Sequence, residues 1–578
     1  MKYLILLLLP VQLFAQQPSL NLASEPQLLE VNKMFTRELV GVSTHSYKIE
    51  LKYGEFLNAS VNQKGMDVSV RIVGPDNSTI AEIDSPNGNN GEEPIRLEAK
   101  LSGTHLIYIY SPRKDTRAGQ YEIKINEILS PEANSRRLAE INRKQQAVVQ
   151  WIKANSIPVR TIEPGKDFTD LQPLKIILKD VHYIGLGEAT HGTSEFFQFK
   201  HRMLQFLVKE MGFRVFTIEA SYSACQKIND YVLGRTEKGK EALDSMGYWL
   251  WNTEEIWAMI DWMRAYNKNL PAENKIRFIG FDIQNNLPGQ AQLIEYLNRT
   301  APKEAEKYDE LLKTSLGPLF EHLMDTNKQK EAAATLENLR RKANDLYIFL
   351  DLRSAGFEGK EKWDEHAEMR ELARVIVQHI DAYFTNGLQA LTNLRDLYMA
   401  DNFRRIVSRE PAGTKFVIWA HNGHVSTTTT SGYFTTIGHH LRRFYGDAYY
   451  ALGFSFNKGG FQARLADSTI IQRTLGTRTP LKGFSVSEAP TGSVDWYLAQ
   501  TKQNMFIIDF RLSAKNADVN EWLYKEYPMR YIGGSFAAHQ EGKRFNPTVV
   551  GKDFDGLFFI DTTKRARPRQ SVAFVDQQ

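Results

Sequence analysis

One cysteine, Cys225, stands in 578 residues. No intrachain disulfide and no cysteine-rich zinc site can form from it. Charge of one sign is also scarce in excess. Lys and Arg number 72 against 68 Asp and Glu, a formal net charge of +4. That balance argues against a nucleic-acid binder or a polybasic membrane binder. Beyond the N-terminus, no apolar run is long enough for a membrane helix. The Gly-x-Ser-x-Gly turn of serine hydrolases is missing. Gly234 to Lys240 has phosphate-loop spacing, but Glu241 replaces the required Ser or Thr and no strand precedes it, so the match is chance.

What is present begins with an address. Lys2 precedes an apolar stretch, Tyr3 to Phe14, too short to span a bilayer. This predicts a secretory signal over 1–15 and a periplasmic or secreted protein. From 19 to 129, alternating segments such as Tyr47–Leu51, Asp67–Val73 and Tyr121–Ile125 are separated by Gly, Pro, Asn and Asp clusters. Short strands with regular turn signals predict a small all-β sandwich. The runs Gly103–Ile109 and Gly119–Ile123 resemble the bacterial pre-peptidase C-terminal type of accessory sandwich. That unit is expected to dock to envelope or polysaccharide.

From 136 to 578 the grammar changes. Continuous apolar runs rich in β-branched and aromatic residues read as buried strands of a mostly parallel sheet flanked by helices, an α/β fold. A charged helical insertion is predicted between Pro302 and Ser408. Four of the runs end on acids or imidazoles. Val181–Leu186 leads into Gly187-Glu188-Ala189-Thr190-His191-Gly192. Phe213–Ile218 ends on Glu219, Ile276–Phe281 on Asp282, and Lys415–Ala420 on His421, with Asn422 and His424 following. Ligands of open α/β sheets bind beyond the carboxyl ends of the strands. These segments are therefore expected to meet at one sheet edge.

The residue types suit proton transfer. His191 can move protons near neutrality, and a carboxylate such as Glu188 can fix its tautomer. Glu219 can balance charge. His421 or His424 can protonate a leaving group or donate to an oxyanion, as can Asn422. Lys200 and Arg202, on the helix after the His191 turn, are candidates to bind substrate oxygen or balance the acids, and Asp282 is placed with them. Two other readings stay open: a metallohydrolase that uses the same His and Glu residues as ligands, and a secreted binding protein with an inert site.

The motifs Gly187–Arg202, Gly212–Ala220, Gly280–Gln284 and Trp419–Val425 resemble, in order and spacing, the erythromycin esterase family. The resemblance covers 136 to the C-terminus. It implies metal-independent hydrolysis of an ester, in known cases a macrolide lactone, with antibiotic resistance as the associated role. It implies no cofactor and no covalent acyl-enzyme. The histidine matching His191 is the general base. Glu188 and Glu219 match its supporting acids, and His421 and His424 match histidines of the same cleft. Family members often carry Arg where this chain has Lys200, and the two cations bind oxyanions differently.

Overall fold

The computed structural model describes residues 25–569, apart from 86–87, 113–117, 285–286, 317–318, 320–321, 323–327, 355–364, 386–387, 429–433, 467–480 and 513–514. The predicted signal segment lies outside the described residues. The chain divides into two compact units, 1–144 and 145–578. The division falls inside a 25-residue helix, Pro131–Asn155.

The first unit is all-β. Its strands are β1 Gln27–Leu28, β2 Met34–Val40, β3 Thr44–Leu51, β4 Phe56–Lys64, β5 Ser69–Val73, β6 Thr79–Ile83, β7 Asn90–Glu98, β8 Gly103–Tyr110 and β9 Ala118–Leu129. They form two sheets, ordered β1-β3-β8-β5-β6 and β2-β9-β4-β7. Along β9, Tyr121, Ile123 and Ile125 point inward; along β8, Ile107 and Ile109 do the same. These side chains share one apolar core with Val61, Val70 and Ile72. The alternation seen in the sequence is thus the inside and outside of a sandwich.

The second unit is built on one mixed sheet. Its strands are β10 Ser156–Pro158, β11 Tyr183–Leu186, β12 Val215–Ser221, β13 Arg277–Asp282, β14 Phe416–Trp419, β15 Tyr449–Leu465, β16 Leu481–Val486, β17 Met505–Asp509, β19 Ser535–Phe536 and β21 Gly556–Thr563, while β18 Tyr527–Arg530 and β20 Phe545–Thr548 pair separately. The order is β10-β17-β21-β15-β11-β14-β12-β13, with β16 and β19 added on β15. From β21 through β13 every pairing is parallel; β17 is antiparallel to both of its neighbours.

Both faces of this sheet are covered, so its strands read as unbroken apolar runs. Consecutive residues go to opposite cores. On β14, Phe416 and Ile418 join one cluster while Val417 and Trp419 join the other. The helical segments between β13 and β14, including Gln329–Arg353, Glu365–Ala382 and Leu388–Arg409, pack into the first cluster. The helix Ser194–Met211 packs into the second. After β11 the chain runs to β12 and β13 on one side, then returns to fill the slot between β11 and β12 with β14. The carboxyl ends of β11, β14 and β12 are therefore adjacent at the point where chain order reverses.

Phe199 and Phe558 stack across the second core, with centroids 3.8 Å apart and both rings fully buried. Phe558→Ala leaves a cavity there and should cost about 3–5 kcal/mol. Urea unfolding followed by the tryptophan signal measures it.

Candidate active site

The turn after β11 is set by close packing. A Cβ on Gly187 would stand 2.2 Å from Asn422 Oδ1, and one on Gly192 would stand 2.1 Å from the carbonyl of Gln462. Only glycine fits where the backbone approaches so closely. Between them, Glu188 is fully buried. Its Oε1 accepts a hydrogen bond from His191 Nδ1 at 2.7 Å. Its Oε2 accepts from Lys200 Nζ at 2.7 Å and from Trp419 Nε1 at 2.8 Å. Burial alone would raise the Glu188 carboxyl, but the Lys200 charge and the His191 bond hold it below the usual range. It is a carboxylate that accepts three hydrogen bonds. With Nδ1–H committed to Glu188, the basic nitrogen of His191 is Nε2, which has no hydrogen-bond partner among the described residues.

Glu219 lies within the irregularity between Ile218 and Ser221, where the register of β12 with β13 shifts. Such bulges re-aim a side chain. Glu219 Oε2 accepts from the backbone N–H of His421 at 3.0 Å, and Oε1 accepts from Arg395 Nη2 at 2.8 Å. Against burial, the positive charges of His424 and Arg395 hold its carboxyl well below the usual range. Arg395 is also clamped by Asp282, which accepts from its Nε at 3.0 Å and its Nη2 at 2.6 Å.

The two imidazoles after β14 have opposite characters. His421 Nε2 lies 3.1 Å from the carbonyl of Ile532 and donates to it, while Nδ1 accepts from Gly423 N–H at 3.1 Å. Burial, with His191 nearby, pushes its pKa down to about 3. It is neutral, and both ring nitrogens are occupied. Its ring centroid lies 4.9 Å from that of His191. His424 donates from Nδ1 to Asp396 Oδ1 at 2.6 Å, and its Nε2 lies 3.2 Å from Glu219 Oε1. Burial would lower its pKa, but Asp396 and Glu219 raise it to about 10. It is an imidazolium.

The charges close on one another. Glu188, Glu219, Asp282 and Asp396 face Lys200, Arg395 and protonated His424. Four carboxylates against three cations leave one negative charge. His191 and His424 keep side-chain exposures of 12% and 14%, while Glu188 and Lys200 have none. Both histidines thus keep partial exposure, as does Arg395 at 17%, while the Glu188–Lys200 pair is sealed off.

Comparison with known proteins identifies the family. An erythromycin esterase family model matches residues 208–563. The chain belongs to the erythromycin esterase family. It is an ester-hydrolysing enzyme of that family. The erythromycin esterase type II of Escherichia coli is 26% identical over 368 residues, covering 60% of this chain and 84% of that protein. The putative hydrolase YbfO of Bacillus subtilis (strain 168) is 22% identical over 437 residues, covering 71% and 90%. Among solved structures, a mutant of the erythromycin esterase EreC in its open conformation superposes with a TM-score of 0.53 at 17% identity, covering 72% of this chain and 100% of that one, a likeness of fold. The Glu188–His191 turn precedes the matched segment, so its role rests on the geometry above.

Several sequence expectations need correction. Arg202 does not face substrate. It is 1% exposed and pairs with Asp170 at 2.6 Å and with the carbonyl of Thr161 at 2.8 Å, tying the loop before β11 to the helix Ser194–Met211. Asn422 is 4% exposed and bonded to the backbone of β15: its Nδ2 donates one N–H to the Phe454 carbonyl at 2.8 Å and its Oδ1 accepts from Phe454 N–H at 2.9 Å. Asp282 is fully buried and clamps Arg395 instead of reaching substrate. Of the two roles expected for Lys200, its contacts are those of charge balance: it is fully buried, lies 4.1 Å over the Trp419 ring and donates to Glu188, and burial lowers its pKa to about 8. A metal ligand set is not assembled: among the described residues no group of three or more His, Cys, Asp or Glu is arranged to hold an ion.

Sequence reasoning missed Arg395 and Asp396. They lie on the helix Leu388–Arg409, where an adjacent Arg-Asp pair looks like any solvated face. Trp419 was read only as an apolar strand residue. Its indole N–H donates to Glu188, and a donor of that kind leaves no periodic trace.

Arg202→Ala removes one partner of a buried ion pair and should cost about 3–5 kcal/mol in stability. Turnover per folded molecule should stay near wild type. Denaturant unfolding paired with active-site-normalised kinetics separates the two effects.

Proposed function

We propose that this protein hydrolyses an ester or a macrolide-type lactone by direct attack of water, with His191 as general base and His424 as general acid. The observation that carries the proposal is His191 held by Glu188 through Nδ1, with Nε2 uncommitted, in a cluster that lacks one positive charge. Water gives a proton to His191 Nε2 while its oxygen attacks the carbonyl carbon. The C=O electron pair moves onto oxygen. Collapse of the tetrahedral species breaks the C–O bond, and the leaving alkoxide takes a proton from His424. Ester and water become acid and alcohol. The proton on His191 then returns through solvent to recharge His424. The imidazolium formed on His191 is stabilised by Glu188 at 2.7 Å and by the surplus negative charge around it.

Two relatives are erythromycin esterases, which supports macrolide lactones among the substrates to try. The apolar stretch Tyr3 to Phe14 supports export to the periplasm or beyond. No helix among the described residues is long and apolar enough to cross a membrane. The sandwich, read as an accessory module, would hold the enzyme to envelope or polysaccharide; cosedimentation of the intact protein with cell-wall material tests that part.

A panel of aryl esters, alkyl esters and macrocyclic lactones, assayed with His191→Ala, tests the chemistry. Loss of the base should lower kcat by about 10²–10⁴-fold with the fold intact. Turnover in H₂¹⁸O should place one label in the acid, with no stoichiometric burst of alcohol. Full activity in the variant, or a burst, contradicts the proposal.

A further inference from the structure

We propose that Asp396 is a positioning residue that holds His424 as a proton donor, so that the helix Leu388–Arg409 completes the acid half of the reaction. This rests on the hydrolytic reading above. The helix delivers two consecutive side chains to the sheet edge. Arg395 binds the Glu219 and Asp282 carboxylates, and Asp396 takes the Nδ1–H of His424 at 2.6 Å. Asp396 is 1% exposed, and His424 acts on its carboxylate more strongly than Arg395, the next residue along the helix, does.

The surroundings of His424 come from several elements. Glu219 on β12 lies 3.2 Å from Nε2. Arg395 Nη1 lies 3.3 Å from the same nitrogen, a like-charge contact offset by Glu219 and by Asp282 on β13. His421, neutral, and Tyr531, whose hydroxyl is pushed up by burial and by Asp396 and Glu219, add no competing cation. His191 reaches the group through Glu219. Asp396, Glu219 and Asp282 against Arg395 leave two negative charges around the imidazole. Burial lifts the Asp396 carboxyl above its usual value, yet the imidazole beside it is lifted to about 10, so the pair is ionic at neutral pH.

In the reaction, Nε2–H of His424 passes its proton to the alkoxide as the C–O bond breaks. Nδ1–H stays bonded to Asp396. The consequence is a dependence on leaving group. A nitrophenolate leaves without a proton; an alkoxide does not.

The test is Asp396→Asn, which keeps shape and removes charge, assayed at pH 7 on an ethyl ester and the matching p-nitrophenyl ester. Turnover of the ethyl ester should fall about 10²–10³-fold, and of the nitrophenyl ester less than about tenfold, with KM within a few-fold. The alkaline limb of kcat on the ethyl ester should move to lower pH, because an acid must be protonated to act and its pKa falls when the carboxylate is removed. Asp396→Glu should recover part of the loss. Equal losses on both esters would reduce Asp396 to a structural residue and overturn the proposal. His191→Ala should fail on both esters; if it did not, the base assignment would fall while the ester ratio for Asp396→Asn still stood. Should Asp396→Asn not fold, ¹³C-labelled histidine NMR of wild type, with the His424 signal assigned by His424→Gln, decides it. A charged ring at pH 8 agrees; a neutral one overturns.

Discussion

The constraint on which the rest depends is the cost of burying carboxylates. Four acids stand at or beside the ends of parallel strands, where little water reaches them. An isolated buried charge is expensive, and it persists only with partners in good geometry. Each acid here has such partners. Lys200 and Trp419 serve Glu188, Arg395 serves Glu219 and Asp282, and His424 serves Asp396. The compensation stops one charge short, and the group left to supply that charge is His191. The geometry that keeps the acids ionised is the same geometry that holds the His191 ring through Nδ1.

That arrangement divides labour between the two faces of the sheet. The helix Ser194–Met211 packs on one face and sends in Lys200 from behind. The helical segments between β13 and β14 pack on the other and send in Arg395 and Asp396. The sheet itself contributes the turn of β11, the bulge of β12 and the short helix after β14. His421, which caps the short helix Asn422–Val425, and His424 within it illustrate how local environment decides chemistry. His421 points at a carbonyl and stays neutral; His424, three residues on, points at two carboxylates and stays charged.

Much of this was legible in the sequence, for a physical reason. Parallel strands covered on both faces must be apolar throughout, so a polar residue that ends such a run stands out. Glu188, Glu219 and His421 were found that way, and the fold class with them. The glycines flanking Glu188 and His191 announced a turn too tight for side chains. What could not be read was direction. Arg202 and Lys200 sit two residues apart on one helix, yet one closes a loop and the other balances the site. Asn422 lies in the right turn with its amide paired to the Phe454 backbone. Asp396 sits in a helix whose periodicity carries no mark of a buried carboxylate. Spacing tells which residues approach the edge; only coordinates tell which atoms each one meets.

The central claim is that Glu188 makes His191 a base by holding its Nδ1–H. Single-turnover hydrolysis by Glu188→Gln, with folding checked by its melting curve, tests it most directly. The amide keeps the size of the side chain but removes the charge that fixes the tautomer and stabilises the imidazolium. The rate should fall by about 10²–10⁴-fold, the span lost with a general base. A folded variant that turns over within tenfold of wild type would contradict the account.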